Sequence, residues 1–301
     1  MSSTDLKATV RRAYGKIASD AIVSDCGGSC DPDQTSARIG YSQEELASIP
    51  DGANLGLGCG NPLAQASLRE GDVVLDLGSG AGIDCFLAAQ AVGASGYVIG
   101  VDMTPEMLDR ANANAASSGY TNVEFRHGDL EALPIDDDSV DLVISNCVIN
   151  LVPDRTQVYR EALRVLKPGG RVCISDTIQT VALPDSLLNT EVAKAGCISA
   201  VVTKEAYLAS LSDAGFKDVQ IESETPYPSD LGFEERLIEG LRDEQSVPEE
   251  AVRAAARSLV SIVVTAAKPG GIDAPGLGYA ARTCDTDTRR QRTSARRQCL
   301  R

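Results

Sequence analysis

A regular alternation of apolar and helical segments is the feature that most constrains how this chain can fold. The apolar segments are 73–78, 97–103, 123–129, 140–146 and 171–176, and helical sequences follow at 83–92, 105–118 and 155–166. The apolar segments lack the polar–apolar alternation of half-exposed strands, which indicates strands buried on both faces. Strands and helices in alternation predict right-handed βαβ units and a parallel sheet covered by helices.

The remaining segments extend this core at both ends. Two further strands are predicted at 219–224 and 261–267, and helices at 5–19, 43–49 and 204–214. The sequence therefore predicts an α/β, Rossmann-like fold with a mostly parallel, seven-stranded sheet and helices on both faces. We expect a helical N-terminal extension over 1–70 that caps the substrate, and a main domain over 71–268. An insertion over 177–218, after the fifth strand, contributes to the substrate site, and the Arg-rich tail over 269–301 is expected to be disordered.

Charge and composition exclude several classes of partner. The 43 acidic and 28 basic residues give a net charge of −15, which disfavours binding to nucleic acids and anionic membranes. The sequence has no apolar run long enough for a membrane span and no apolar signal-peptide core near its start, so we expect a cytoplasmic monomer. Nine cysteines in such a chain indicate metal binding or catalysis rather than structural disulfides.

A glycine-rich turn follows the first predicted strand. The sequence VVLDLGSGAGID (73–84) places glycines at 78, 80 and 82 in the pattern G-x-G-x-G. A nicotinamide dinucleotide fingerprint would have its third glycine one residue later, where this chain has Ile83. Asp102 ends the second strand, 20 residues after Gly82, where a carboxylate can accept hydrogen bonds from ribose hydroxyls. These residues lie at the carboxyl ends of parallel strands, where open α/β sheets bind ligands.

This constellation, with KPGG (167–170) before the fifth strand, resembles the class I S-adenosylmethionine-dependent methyltransferases. The resemblance implies that the three glycines approach the cofactor, that Asp76 faces its amine and that Asp102 holds its ribose. It also implies that Asp129 and Leu130 border the adenine and that Asn146 lies beside the methionine part. The implied cofactor residues are Asp76, Gly78, Ser79, Gly80, Gly82, Asp102, Met103, Asp129, Leu130 and Asn146.

Three cysteines fall where a substrate could meet such a cofactor. Cys147 follows the fourth strand, and Cys197 lies in the insertion after the fifth strand. Cys59 lies between two glycines, which predicts an accessible thiol on a loop. Cys85 and Cys173, on a predicted helix and a predicted strand, are expected to be ordinary buried core residues.

The cysteine segments resemble the arsenite methyltransferase family. The resemblance covers about residues 10–220 and rests on YGKIA (14–18), NLGLGCGNP (54–62), GVDMTPEML (100–108), SNCVINLVPD (145–154) and RVLKPGGRVCISD (164–176). It implies that Cys59, Cys147 and Cys197 bind trivalent arsenic, supplied as arsenite or methylarsenite. It further implies a thiol reductant, thioredoxin or glutathione, and thiol–disulfide exchange through Cys26 or Cys30.

Thiolates select soft centres such as trivalent arsenic, whose lone pair can attack a sulfonium methyl group without a strong general base. This agrees with a chain that has one histidine. Two alternatives remain at this stage. One is a class I methyltransferase acting on carbon of a small apolar acceptor, such as a quinone or sterol, with ordinary core cysteines. The other is a thiol-based metal-binding protein, since the Cys26-x₃-Cys30 spacing falls within that of zinc sites.

Overall fold

The computed structural model of the protein describes residues 3–19, 31–181, 200–226 and 248–270, together with residues 183, 188, 193 and 198. Residues up to Gly271 belong to one compact unit. The predicted tail over 269–301 falls almost wholly outside the described residues, as do Cys26, Cys30 and Cys197. Within the described part, no helix has the length and apolar character needed to cross a membrane.

The core is a seven-stranded sheet with strand order 3-2-1-4-5-7-6. Its strands are β1 (Val73–Leu77), β2 (Tyr97–Asp102), β3 (Val123–His127), β4 (Val140–Asn146), β5 (Leu166–Gln179), β6 (Lys217–Pro226) and β7 (Leu259–Ala267). The first five strands pair in parallel. Strand β7 runs antiparallel to both β5 and β6. The predicted Rossmann-like, mostly parallel sheet is therefore confirmed.

Two strands differ from the expectation. Strand β3 was predicted to be buried on both faces, but it is the sheet edge, and its residues are half-buried or exposed. The KPGG segment was predicted as a stop between helix and strand, but it already belongs to β5, which begins at Leu166. Here β4 and β5 pair with a shifted register between Val140 and Leu142, so the early part of β5 is an irregular extension of the sheet.

The helices surround this sheet. They are α1 (Ser3–Ser19), α2 (Pro32–Arg38), α3 (Gln43–Ser48), α4 (Ile83–Val92), α5 (Pro105–Ser118), α6 (Arg155–Val165), α7 (Lys204–Ala214) and α8 (Glu249–Arg257). The predicted bounds of α4, α5 and α7 match these ranges. Helix α2 was not predicted. It begins at Pro32, a favoured first helical residue, and the Asp31 side chain caps it by accepting a hydrogen bond from the Asp33 N–H.

The N-terminal helix α1 lies at the end of the sheet that is formed by the carboxyl ends of the parallel strands. Val10 of α1 packs with Cys59, Cys147 and Leu151 in one buried apolar cluster. Apolar burial of this kind stabilises the folded state by about 25 cal/mol per Å² of surface removed from water. The contact fixes α1 over the region where the predicted functional residues meet.

Candidate functional site

A cavity of about 1090 Å³, including its open mouth, lies at the carboxyl ends of β1, β2 and β4. Nine of the ten residues predicted to bind the cofactor line it: Asp76, Gly78, Ser79, Gly80, Asp102, Met103, Asp129, Leu130 and Asn146. We call it the strand-end cavity. Its position is the one where open α/β sheets generally bind ligands.

Gly82 is the predicted residue that does not line the strand-end cavity. Its φ of +101° lies in the left-handed region, and a Cβ there would come within 2.6 Å of Phe86. The same Cβ would come within 2.9 Å of Phe125. Gly82 therefore allows α4 to start tightly against the sheet, and its approach to the ligand stays a prediction.

Hydrogen bonds connect the glycine turn to Asp102. The Asp102 carboxylate accepts hydrogen bonds from the Gly80 N–H at 3.0 Å and from the Thr104 N–H at 2.8 Å. A Cβ on Gly78, whose φ is +73°, would lie 2.5 Å from Val148. The backbone bonds leave Asp102 with free lone pairs facing the cavity, which a ligand hydroxyl could use.

The cavity carries an excess of negative charge. Asp76, Asp84, Asp102 and Asp129 line it, and among the described residues Lys7 is the one basic residue of its lining. Burial raises the pKa of Asp76 well above its ordinary value, and repulsion from Asp84 raises it further. Burial also raises the pKa of Asp84 to about 6. Among the described ion pairs none involves these two acids, so the cavity is electrostatically suited to a cationic ligand and unsuited to a pyrophosphate.

Asn146 connects this cavity to the loop that carries Cys59. Its Nδ2 donates to the Gly60 carbonyl at 2.8 Å and to the Asp84 carboxylate at 3.2 Å. Its Oδ1 accepts from the Cys59 N–H at 3.0 Å. Tyr41 completes the network by donating to Asp84 at 2.6 Å and accepting from Asn146 at 2.9 Å. Sequence reasoning did not identify Tyr41, which lies on a loop, or Asp84, which ends the glycine-rich segment 73–84 but was not assigned a role.

Helix α1 closes one side of the cavity. Lys7, Val10 and Tyr14 line it, and the Lys7 ammonium pairs with the carboxylates of Asp129 and Glu131. Tyr14 belongs to the YGKIA segment (14–18) of the family resemblance, whereas Lys7 was not identified. The sequence shows Lys7 only as a lysine in a predicted helix, and such a lysine cannot be distinguished from a solvent-exposed one without the structure.

Cys59 is buried, with 2% of its surface exposed, although its two flanking glycines predicted an accessible thiol. The reason is close packing. A Cβ on Gly58 would come within 2.8 Å of the Asn146 side chain, and one on Gly60 would overlap the Ser175 hydroxyl. The glycines of this Cys59 loop (residues 58–60) therefore let the backbone descend onto the ends of β4 and β5.

Cys147 lies beside Cys59 in an uncommon backbone conformation. Its φ is +59°, in the left-handed region that β-carbon-bearing residues rarely adopt, and its N–H donates to the Ser175 carbonyl at 2.8 Å. Such a conformation costs about 1–3 kcal/mol and occurs preferentially at functional sites. The turn ends β4 and brings the Cys147 side chain to the cavity lining.

Two thiols and a carboxylate form what we call the thiol cluster: Cys59, Cys147 and Asp176. One ligand atom from each lies within 4.8 Å of the other two. Metal–thiolate bonds of about 2.3 Å would separate two ligands on one ion by at most roughly 4.6 Å, so small adjustments suffice for shared binding. Two sulfurs favour a soft, thiophilic centre.

Asp176 was not among the predicted site residues. It is fully buried, accepting from the Asn150 amide at 2.8 Å and the Tyr207 hydroxyl at 3.1 Å, and burial raises its pKa to about 6. Asp176 ends the RVLKPGGRVCISD segment (164–176), but its place at the end of a predicted strand gave no sign of a role as a ligand.

The other cysteines divide into two groups. Cys85 and Cys173 are buried free thiols that donate to the Asp76 carboxylate and the Pro62 carbonyl, so the expectation that they are core residues is confirmed. Cys26, Cys30 and Cys197 are outside the described residues.

Comparisons with known proteins agree with this geometry. Residues 68–215 match a family described as "Methyltransferase domain". The chain is 47% identical to an arsenite methyltransferase of Halobacterium salinarum over 247 residues, which are 77% of this chain and 63% of that relative. It is 39% identical to an arsenite methyltransferase of Aquipseudomonas alcaligenes over 76% of this chain and 67% of that relative.

A solved structure gives the same result. The crystal structure of an arsenic(III) S-adenosylmethionine methyltransferase from Chlamydomonas reinhardtii superposes with a TM-score of 0.56 at 29% identity, over 80% of this chain and 74% of that one. The present chain spans 63% of the length of its Halobacterium relative. The sheet order, the strand-end cavity and these similarities together establish that the chain belongs to the arsenite methyltransferase family and has the Rossmann-like fold of class I methyltransferases.

Proposed function

We propose that this chain transfers a methyl group from S-adenosylmethionine to trivalent arsenic held by cysteine thiolates, with arsenite or methylarsenite as the substrate. The observation that carries the proposal is the thiol cluster, whose ligand atoms lie within 4.8 Å of one another beside the strand-end cavity. Core cysteines of an enzyme that methylates carbon would have no reason to converge there.

The strand-end cavity fits the cofactor. The Ser79 hydroxyl is buried without a hydrogen-bond partner among the described residues, and it lines the cavity, so a bound ligand could satisfy it. Asp76 and Asp84 would stabilise a positively charged ligand, and Asp102 is oriented to accept from ribose hydroxyls. When bound, S-adenosylmethionine supplies a sulfonium methyl group whose leaving group is a neutral thioether.

The chain's own residues supply binding and orientation. Cys59 and Cys147 bind the arsenic, and Cys197 is proposed as the third thiolate from the resemblance of its segment to the family. Asn146 fixes the Cys59 loop through the Cys59 N–H and the Gly60 carbonyl, and it simultaneously contacts Asp84 at the cavity. Three thiolates leave the arsenic lone pair free to attack the methyl carbon, so catalysis comes from positioning the two reactants.

The electron balance requires a reductant. Attack by the lone pair forms an As–C bond and formally oxidises arsenic by two electrons. Two thiolates that couple to a disulfide return those two electrons, and an external thiol, from thioredoxin or glutathione, then reduces the disulfide by exchange. Cys26 or Cys30 is the proposed partner of Cys59 in this disulfide, on the resemblance alone.

The proposal is tested by incubating the protein with arsenite, labelled S-adenosylmethionine and a thiol reductant, followed by separation of arsenic species. We expect labelled methylarsenic from the wild type and near-complete loss in Cys59→Ser and Cys147→Ser. Cys173→Ser is the matched control, because its buried thiol donates to a backbone carbonyl that a serine hydroxyl can also reach. Equal turnover in all four proteins would contradict the proposal.

A further inference from the structure

A second cavity, of about 700 Å³ including its mouth, lies behind the Cys59 loop. It is formed between the segment after α2, the Cys59 loop and the facing strands β6 and β7. Its lining includes Arg38, Cys59, Gln65, Ser223 and Ser261. The strand-end cavity shares none of these residues.

The Cys59 loop is the partition between the two cavities. Gly58 lines the strand-end cavity, whereas Cys59 and Gly60 line the second cavity. Cys147 lines the strand-end cavity, and its thiol lies within 4.8 Å of the Cys59 thiol. The buried Cys59 thiol packs with Cys147, so the pair of thiols lies at the partition, with residue Cys59 in the wall of the second cavity and residue Cys147 in the wall of the strand-end cavity.

The partition is held rigidly. The Ser261 hydroxyl donates to the Cys59 carbonyl at 2.6 Å from the side of the second cavity. Asn146 accepts from the Cys59 N–H at 3.0 Å from the side of the strand-end cavity. Because the two backbone groups of Cys59 are bonded to residues of different strands, the loop is fixed between the two cavities.

The two cavities differ in chemistry. Four carboxylates line the strand-end cavity, and no carboxylate is among the described residues that line the second cavity. Its polar groups are instead hydroxyls and amides, namely Asn61, Gln65, Ser223, Thr225 and Ser261, with Arg38 as the charged residue. Arsenous acid is an uncharged triol at neutral pH, and neutral hydroxyl and amide groups are its natural hydrogen-bond partners.

We propose that the second cavity is the entrance for arsenic, separate from the entrance for the cofactor. Arsenous acid enters there, and the Cys59 thiol replaces one arsenic hydroxyl, which leaves as water with the thiol proton. The Cys147 thiol at the strand-end cavity then replaces a second hydroxyl in the same way, with release of a second water. This inference rests on the proposed function. It has a consequence for turnover: the spent cofactor can leave through the strand-end cavity while arsenic stays bound to the cysteines, so successive methyl groups can be added without release of the intermediate.

The test narrows the second cavity by replacing residues that line it with the larger tryptophan. Gln65→Trp and Ser223→Trp place an indole at residues that the strand-end cavity does not use, and Ala47→Trp on the exposed face of α3 is the control. The first measurement is the rate at which each protein captures arsenite, followed by rapid separation of bound arsenic, and it requires no methyl transfer. The second is the equilibrium Kd for S-adenosylmethionine.

We expect arsenite capture to slow by about tenfold or more in Gln65→Trp and Ser223→Trp, with an unchanged Kd for S-adenosylmethionine. Protein loaded with arsenite by long incubation should then transfer methyl at the wild-type rate in a single turnover, which a general structural defect would not permit. Capture rates equal to those of wild type and Ala47→Trp would overturn the entrance proposal. A wild type that captures arsenite but transfers no methyl would overturn the proposed function alone, and one that captures no arsenite would overturn both.

Discussion

The strand-end cavity and the thiol cluster are adjacent, yet each lowers the stability of the folded state for a different reason. The strand-end cavity concentrates charge, since Asp76 and Asp84 are buried with raised pKa values. The thiol cluster instead concentrates backbone strain and close packing, through the left-handed Cys147 and the glycines that flank Cys59. The difference teaches that the strand-end cavity is organised by electrostatics and the thiol cluster by geometry. Substitutions at four positions test this division.

Removing a buried charge from the strand-end cavity should have the largest effect on stability. The pKa of Asp84 is raised from 3.8 to about 6, so the folded state binds this proton more tightly than the unfolded chain does. The free energy of unfolding is then highest below the ordinary pKa and falls as the pH rises through about 6. We expect Asp84 to contribute up to about 3 kcal/mol to this fall.

Asp84→Asn should remove that contribution, which urea unfolding between pH 4 and pH 7 would measure in the absence of cofactor. Asp109→Asn, at an exposed position on α5, serves as the control and should keep the wild-type pH dependence. If the free energy of unfolding of Asp84→Asn keeps the wild-type pH dependence, the buried charge is not what lowers the stability of this cavity.

Asn146→Ala should damage both regions, because this amide bonds to Cys59 and Gly60 on one side and to Asp84 on the other. Residues that orient ligands in this way typically contribute 10–100-fold to affinity, so we expect a loss of about that size in arsenite binding. The Kd for S-adenosylmethionine should rise as well. Asn122→Ala, which removes an amide bonded to two α4 carbonyls, should lower stability and leave both affinities unchanged. A loss confined to one ligand would show that the two regions are independent.

Replacing Cys147 by glycine and by alanine isolates the backbone strain. Both variants lose the thiol, but glycine adopts the φ of +59° without steric cost. We therefore expect Cys147→Gly to be more stable than Cys147→Ala by about 1 kcal/mol in thermal or urea unfolding. Equal stability would mean that the turn after β4 is unstrained and that the thiol cluster is not organised by backbone geometry.

The smallest effect is expected at Lys7, which pairs with Asp129 and Glu131 at the rim of the strand-end cavity. Partly exposed ion pairs contribute under about 1 kcal/mol, so Lys7→Ala should raise the Kd for S-adenosylmethionine by less than about fivefold. Arg12→Ala, on the exposed face of the same helix, should change nothing. A loss above about tenfold would show that Lys7 acts on the ligand directly.

The same contrast explains what the sequence could predict. The strand-end cavity is built largely from local motifs, each of which is one strand and the turn that follows it, so the pattern around Gly78 and Asp102 predicted most of the residues that share its lining. The thiol cluster depends on contacts between distant segments. The glycines beside Cys59 were interpreted as a sign of exposure, because only the packed structure brings them against Asn146 and Ser175.

Two residues of the network and the cluster were missed for the same reason. Asp176 and Tyr41 acquire their contacts from burial and from partners more than 25 positions away in the chain. At Gly82 the structure adds a second reason for the glycine of the motif, since helix packing also requires it there.

The buried acids Asp76 and Asp84 also bear on how long the protein survives in a cell. A cationic ligand that fills the strand-end cavity neutralises their repulsion, so it binds the folded chain far better than the unfolded one and shifts the folding equilibrium by mass action. Proteases act mainly on the unfolded fraction. A shortage of such a ligand should therefore lower the abundance of this protein, because a larger fraction of it would be unfolded and open to proteolysis.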